Sequence, residues 1–245
     1  MANRKISQLT AASALSGAEL IPAVQSGADV AIAASALFPL PGYVSGNWYL
    51  PPSISGVAAG GAMPANTICL SPFILLAPVT VKTLGARLTT AASNAGANVA
   101  LALYASTPIA SAGYRPTGTP LLASGAILAT TAGVIASAAL TPAALSAGAI
   151  YWAAVWADSL AATATAAIFQ AQSIANPLTS ILVGSATQSH ISPAAASVGP
   201  FLTFAASWTN PAAPSWPDLT SGGFTEVAPT SLSANTTGVV QLQAN

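Results

Sequence analysis

The run Gly148-Ala-Ile-Tyr-Trp-Ala-Ala-Val-Trp156 constrains the fold more than any other stretch of the chain. Successive residues of a strand point to opposite faces. Ile150, Trp152, Ala154 and Trp156 then share one face, and Tyr151, Ala153 and Val155 share the other. Both faces are apolar, so such a strand must be covered on both sides, as in the middle of a β-sandwich. One cover is the sandwich core. The other is a loop or a neighbouring chain. A helix is disfavoured because Pro142 and Gly148 lie just upstream and Tyr, Trp and Val prefer strands.

The remaining residues extend this reading. Glycine and proline, 19 of each, are spread along the 245 residues, which argues against long helices and for short strands joined by turns. The expected fold is all-β: a jelly-roll-like antiparallel β-sandwich over residues 43–245, preceded by an N-terminal arm with a β-hairpin over residues 1–42. In the arm, Glu19–Gln25 and Val30–Ser35 flank a turn at Ser26-Gly-Ala-Asp29. An isolated hairpin is marginal in water, so this one needs a partner surface. In the sandwich, Asn47–Leu50 reads as an edge strand and Thr67–Leu76 as a strand broken or bulged at Pro72. Val99, Leu101 and Leu103 share one face of another strand, and Gly238–Gln243 reads as a closing strand. Val79 and Val81 alternate in one parity, then Leu84, Ala86 and Leu88 in the other, so a β-bulge is predicted within Thr83–Gly85. Residues 105–120 read as a long loop that exposes Tyr114 and Arg115.

Charge narrows the function classes. Charged residues make up 4% of the chain and the net charge is zero, against about 25% charged in an average domain. No electrostatic footprint for nucleic acid or anionic lipid is present. So little charge does not keep a monomer soluble easily, which suggests surface buried in an assembly. Mean hydropathy is +0.65, yet the best candidate span, residues 134–157, is interrupted by Pro142 and Gly148, consists largely of Ala and lacks a basic flank. Membrane insertion is not expected, and Arg4-Lys5 is not followed by the apolar segment of a signal peptide. Cys69 is the one cysteine and reads as a small core residue.

Chemistry has few groups to work with. His190 is the only histidine, so any Ser-His-Asp triad must use it, with Asp158 or Asp218 as the acid nearest in sequence. A two-carboxylate glycosidase would draw on Asp158, Asp218 and Glu226. Neither arrangement is favoured, and no metal-ligand spacing or phosphate-binding glycine loop is present. No catalytic residues, metal or cofactor are expected. Binding can use aromatics and amides alone. Trp208, Asn210, Trp216, Asp218 and Phe224 fall within 17 residues of loop-rich sequence and form a candidate glycan-binding set. The competing reading is that Trp208 and Trp216 cap the sandwich or pack against a sister chain.

Two segments resemble known families. Lys5-Ile-Ser-Gln-Leu-Thr-Ala-Ala-Ser-Ala-Leu-Ser-Gly-Ala-Glu-Leu-Ile-Pro-Ala-Val-Gln-Ser-Gly27 resembles the N-terminal segment of many tailed-bacteriophage fibre and spike proteins, which precedes a hairpin that tethers the appendage to the particle. Pro78-Val-Thr-Val-Lys-Thr-Leu84, Val99–Tyr104, Arg115-Pro-Thr-Gly118 and Leu145–Ala153 resemble, in order, the strands and loop of a jelly-roll module of phage fibres. One residue is inserted between Pro116 and Gly118 and another between Gly148 and Tyr151 relative to that module. The resemblance implies a virion structural protein, a short fibre or spike at the particle surface, and the few titratable groups argue against enzyme activity; a homotrimer is expected from the resemblance and from the charge-poor, doubly apolar strands. Its N-terminus would dock on other virion proteins, capsid or tail, through Ile6, Leu9, Leu15, Leu20, Ile21 and Val24. Its sandwich would contact host-surface glycan. The alternative is a head fibre or capsid decoration protein that dresses the shell. A polysaccharide-degrading spike is the weakest reading, given so few titratable groups.

Overall fold

The computed structural model describes residues 20–25, 28–33, 42–50, 57–109, 113–162, 167–172, 201–208, 212–227 and 240–245. The chain divides into two compact units, Met1–Pro41 and Gly42–Asn245. In the first, β1 (Leu20–Gln25) pairs antiparallel with β2 (Ala28–Ala33), from Gln25 opposite Ala28 to Leu20 opposite Ala33. Ala28 and Asp29, read from the sequence as part of the turn, are therefore paired strand residues.

The second unit is a jelly-roll-like antiparallel β-sandwich, with no helix among the described residues. Its strands are β3 (Trp48–Tyr49), β4 (Val57–Ala62), β5 (Thr67–Ile74), β6 (Val79–Thr90), β7 (Asn98–Ile109), β8 (Gly113–Ala123), β9 (Ile127–Leu128), β10 (Gly133–Ala136), β11 (Ala143–Leu145), β12 (Ile150–Ala157), β13 (Ile168–Gln172), β14 (Phe201–Ala205), β15 (Thr225–Val227) and β16 (Gln241–Ala244). Two seven-stranded sheets form. The first runs β3-β16-β6-β13-β4, with β10 and β11 also on β6. The second runs β15-β14-β5-β12-β7-β8, with β9 on β7.

Strand β6 is the axis of the first sheet. Gly85 pairs with both Gln241 and Ala136, and Leu88 with both Phe169 and Gly133. So β16 and β13 lie end to end along one side of β6, and β11 and β10 along the other. The parity change predicted in this strand is present. Thr83 is opposite Gln243, but Ala244 is opposite Val81, so Lys82 is the extra residue. The bulge sits one residue upstream of the predicted span and turns Leu84, Ala86 and Leu88 onto the core face that Val79 and Val81 occupy before it.

Two buried serines hold strand ends where pairing breaks. Leu101 donates its N–H to Ser124 Oγ (2.8 Å), and the Ser124 N–H donates back to the Leu101 carbonyl (2.8 Å). Ser137 repeats this on Leu84, at 3.1 Å and 2.8 Å. Each hydroxyl then donates to the next carbonyl, of Gly125 or Ala138, at 2.8 Å. The sequences around them, Ala123-Ser-Gly-Ala126 and Ala136-Ser-Ala-Ala139, are near copies. In each case one hydroxyl serves a buried amide that would otherwise lack an acceptor.

Three readings are corrected by the fold. Residues 105–120 are not a long loop: β7 continues to Ile109 and pairs with β8 from Gly113. Pro116, Gly118 and Pro120 disguise β8 as loop, yet it is an edge strand, where prolines are tolerated and blunt further pairing. Nor is Arg115 exposed; it is buried and its Nη1 donates to the Tyr114 carbonyl at 2.8 Å, whereas Tyr114 is exposed. Finally, β5 passes through Pro72 without a break, in register with Trp152. Among the described residues, β14 pairs with β5 from Thr67 to Leu70 and does not reach Pro72, whose missing N–H a ladder partner would otherwise need. Strand β4, Val-Ala-Ala-Gly-Gly-Ala, was not anticipated, since alanine and glycine carry no alternation to read.

The inter-sheet core contains Val81, Leu84 and Leu88 from one sheet and Val99, Leu101, Leu103, Tyr151, Ala153 and Val155 from the other. Cys69 is in the same core, and burial pushes its thiol up to about 12 from 9.0. The sign follows from linkage. Between pH 9 and about 12 the unfolded chain releases this proton while the folded chain keeps it. Stability present below pH 9 should therefore fall above it by up to about 1.4 kcal/mol per pH unit. Urea titrations between pH 7 and 11 should show the decline, and Cys69→Ala should flatten it. An unchanged slope would assign the decline to tyrosines.

Candidate functional site

The second apolar face of β12 is not at the sheet interface. Trp152, Ala154 and Trp156 join Ile68, Leu70, Ala100, Ala102, Tyr104 and Leu202 in a separate core on the outer side of the second sheet. The chain itself seals this layer. After β14, residues 206–208 and 212–224 cross the sheet and bring Trp208, Trp216 and Leu219 onto it. Trp156 is the centre: its ring lies 5.4 Å from those of both Trp208 and Trp216, at 54° and 67°. Trp216 also meets Tyr104 edge-on at 6.4 Å, and Phe204 meets Phe224 at 6.0 Å. Tilted and edge-on pairs are the arrangements that aromatic quadrupoles favour.

Polar bonds hold the cap in place. Asn66, the only described non-glycine residue with positive φ (53°), sits in a turn that asparagine tolerates. Its Oδ1 accepts from the Trp208 N–H at 3.2 Å and its carbonyl from the Ala206 N–H at 3.0 Å. Trp208 Nε1 donates to the Ala212 carbonyl (2.7 Å), and Trp216 Nε1 donates to the Ser124 carbonyl (3.1 Å). The Leu219 N–H reaches the Gly118 carbonyl at 2.9 Å, in the segment of β8 that bulges away from β7. Tyr104 donates its hydroxyl to the Pro217 carbonyl at 3.1 Å. Burial first, and then the nearby Asp218 charge, raise the Tyr104 phenol well above its ordinary value, so it remains a donor at neutral pH.

This geometry places the candidate glycan residues one by one. Trp208 is 3% exposed and Trp216 is half-buried, each with its ring engaged by Trp156. Phe224 is half-buried against Phe204. Asp218 is exposed, and its Oδ1 accepts from the Thr220 N–H (2.8 Å) and hydroxyl (2.6 Å), which lowers its pKa below the ordinary value. Asn210 lies outside the described residues, as do His190, Ile6, Leu9 and Leu15. Leu20, Ile21 and Val24 lie on β1, where only the backbone is described. So Trp208, Trp216 and Phe224 meet in one layer, but they spend their faces on each other and on the sheet. Trp208 in particular offers no stacking surface.

The carboxylates considered for catalysis are used locally. Asp158, at the end of β12, is fully buried and accepts from the Asn98 N–H (2.8 Å), Asn98 Nδ2 (3.2 Å) and the Ala161 N–H (2.7 Å). It ties the first residue of β7 to the turn after β12. Asp218 belongs to the cap, and Glu226 lies on β15 with its backbone alone described. No group of three His, Cys, Asp or Glu residues able to hold a metal ion occurs among the described residues. Sequence reasoning missed Asn66, Ser124 and Asp158 as positioning residues. The one available signal was the repeated Ala-Ser-x-Ala pattern around Ser124 and Ser137. No protein-family model matches the chain, and no curated protein matches it.

Proposed function

We propose that this chain is a structural protein of a bacteriophage particle, a short fibre or spike anchored by its N-terminal segment, whose sandwich faces the host surface and does no chemistry. The observation that carries the reading is the hairpin. The resemblance over residues 5–27 calls for a tethering hairpin ahead of a projecting domain, and β1 and β2 pair as a unit of their own before the sandwich begins. A hairpin this small gains stability by adding to a partner surface, by apolar burial or by strand addition. Support for a non-catalytic role comes from the carboxylates: Asp158 is occupied by the amides of Asn98 and Ala161, and Asp218 by Thr220 within its own turn.

A homotrimer remains part of the proposal on the grounds of resemblance and low charge. The doubly apolar β12 no longer argues for it, because the chain's own cap covers the face that a sister subunit would have covered. Attachment is tested in particles. Antibodies against the sandwich should label purified virions, on capsid or on tail. A full-length chain carrying Leu20→Asp with Val24→Asp should be missing from them, while the melting temperature of its sandwich stays unchanged. Virions without the wild-type chain would overturn the reading; virions that still load the double variant would overturn the anchor.

A further inference from the structure

The outer face of the first sheet carries a feature that the fold itself does not require. On β3, Tyr49 turns inward to the core and Trp48 outward, and Trp48 is 40% exposed. Its strand is fixed at the N-terminal end. Gly46 N–H donates to the Ala244 carbonyl at 2.9 Å, the Ala244 N–H donates to the Asn47 carbonyl at 3.1 Å, and Gln243 Nε2 donates to the Gly46 carbonyl at 3.0 Å. The indole lies over Gly85, in the middle of β6. A Cβ on Gly85 would stand 2.8 Å from Trp48 Cζ3 and 3.1 Å from Cη2. Glycine weakens a strand interior, and here its bareness is what lets the ring lie down on the backbone.

The surroundings of this ring are basic and amide-rich. Gln241 is opposite Gly85 and Gln243 is opposite Trp48, both on the outward side of β16. Arg87, exposed, follows Gly85 by two residues on the same face, about 6.7 Å along the strand. None of the seven strands of this sheet contains an acid; its charges are Lys82 and Arg87. The acids of the sandwich, Asp158, Asp218 and Glu226, all belong to the other sheet, its turns or its cap.

We propose that Trp48, seated on Gly85 and flanked by Gln241 and Arg87, is a binding site for an acidic polysaccharide. The flat indole takes the apolar face of a pyranose ring. The glutamine amides meet hydroxyls, and the Arg87 guanidinium pairs a sugar carboxylate through two parallel N–H bonds. Charge complementarity selects this occupant over a neutral glycan or an apolar protein surface. The proposal rests on the reading above for the host surface as the source of the polymer; the site itself is tested on the purified full-length chain, separately from particle attachment.

Binding to alginate, hyaluronan and polysialic acid should be measured by titration, with dextran as the neutral polymer. The wild-type chain should bind at least one polyanion about tenfold more tightly than dextran, and added salt should weaken it. Trp48→Ala should weaken binding about tenfold, Gly85→Ala should weaken it by lifting the ring, and Arg87→Gln should bring the polyanion down to the dextran level. Tyr114→Ala, exposed on the other sheet, should leave binding unchanged. Arg87→Gln alters only an exposed side chain and decides the matter should Trp48→Ala fail to fold. Binding to none of the three polyanions, equal binding to dextran, or unchanged binding by folded Trp48→Ala or by Arg87→Gln would overturn the proposal. Loss of virion loading in the hairpin variant does not bear on these titrations.

Discussion

Trp156→Ala is expected to lower the unfolding free energy by about 3–5 kcal/mol, the range for removing a large buried aromatic side chain. The ring is fully buried and packs against both Trp208 and Trp216, so its loss leaves a cavity that two neighbours border at once. Its Nε1 has no hydrogen-bond partner among the described residues, so the cost is packing alone. Trp156→Phe is the informative companion. Phenylalanine keeps most of the apolar contact and removes a buried N–H that costs about 1–3 kcal/mol when unpaired. Its penalty should therefore fall within about 1 kcal/mol of wild type. Urea unfolding gives both values. A loss below about 1 kcal/mol for Trp156→Ala would mean that the cap contributes little to the sheet it covers. Limited proteolysis should locate the damage: the alanine variant should be cut in residues 209–224 before the sheets are touched.

Asp158→Ala should be nearly as damaging for a different reason. The carboxylate accepts from two backbone amides, of Asn98 and Ala161, inside the protein. Alanine leaves both without that acceptor, at about 1–3 kcal/mol each. Thermal unfolding should show a combined loss of about 3–5 kcal/mol, and hydrogen exchange at the Asn98 and Ala161 amides should accelerate ahead of the rest of the sandwich. Asp158→Asn keeps the shape and one acceptor oxygen, so it should fall between the two. Unchanged exchange at both amides would remove Asp158 from the role of clasp. The result also bears on function, since a carboxylate engaged on both oxygens by the fold is poorly placed for acid–base work.

Much of the sandwich was legible because period-two alternation survives in it. Val99, Leu101 and Leu103 face the inter-sheet core as read, and the parity change in β6 locates its bulge to within a residue. Legibility ended where small residues or prolines hide the alternation. Strand β4 is alanine and glycine, and β8 carries prolines that read as loop although the edge of a sheet accepts them. The aromatic set at 208–224 was found as a cluster but not as a layer. Spacing in sequence does not tell whether a tryptophan faces solvent or another tryptophan 52 residues away, as Trp208 faces Trp156. Trp48 was passed over for the converse reason: its setting is a glycine 37 residues along the chain, brought beneath it only by sheet pairing.

The stretch from Ile150 to Trp156 marks the division. Its sequence alone required a strand with both faces buried, because seven apolar residues in alternation leave no side for water. Tertiary structure decided what covers each face. Tyr151, Ala153 and Val155 meet the opposite sheet, and Trp152 and Trp156 meet a cap formed from residues about 50 to 70 positions later. Burial is a local demand, but it is non-directional, and any apolar surface of suitable shape satisfies it. Which surface arrives depends on strand order and on a few hydrogen bonds, such as those of Asn66 and Ser124, that become defined only when distant segments meet.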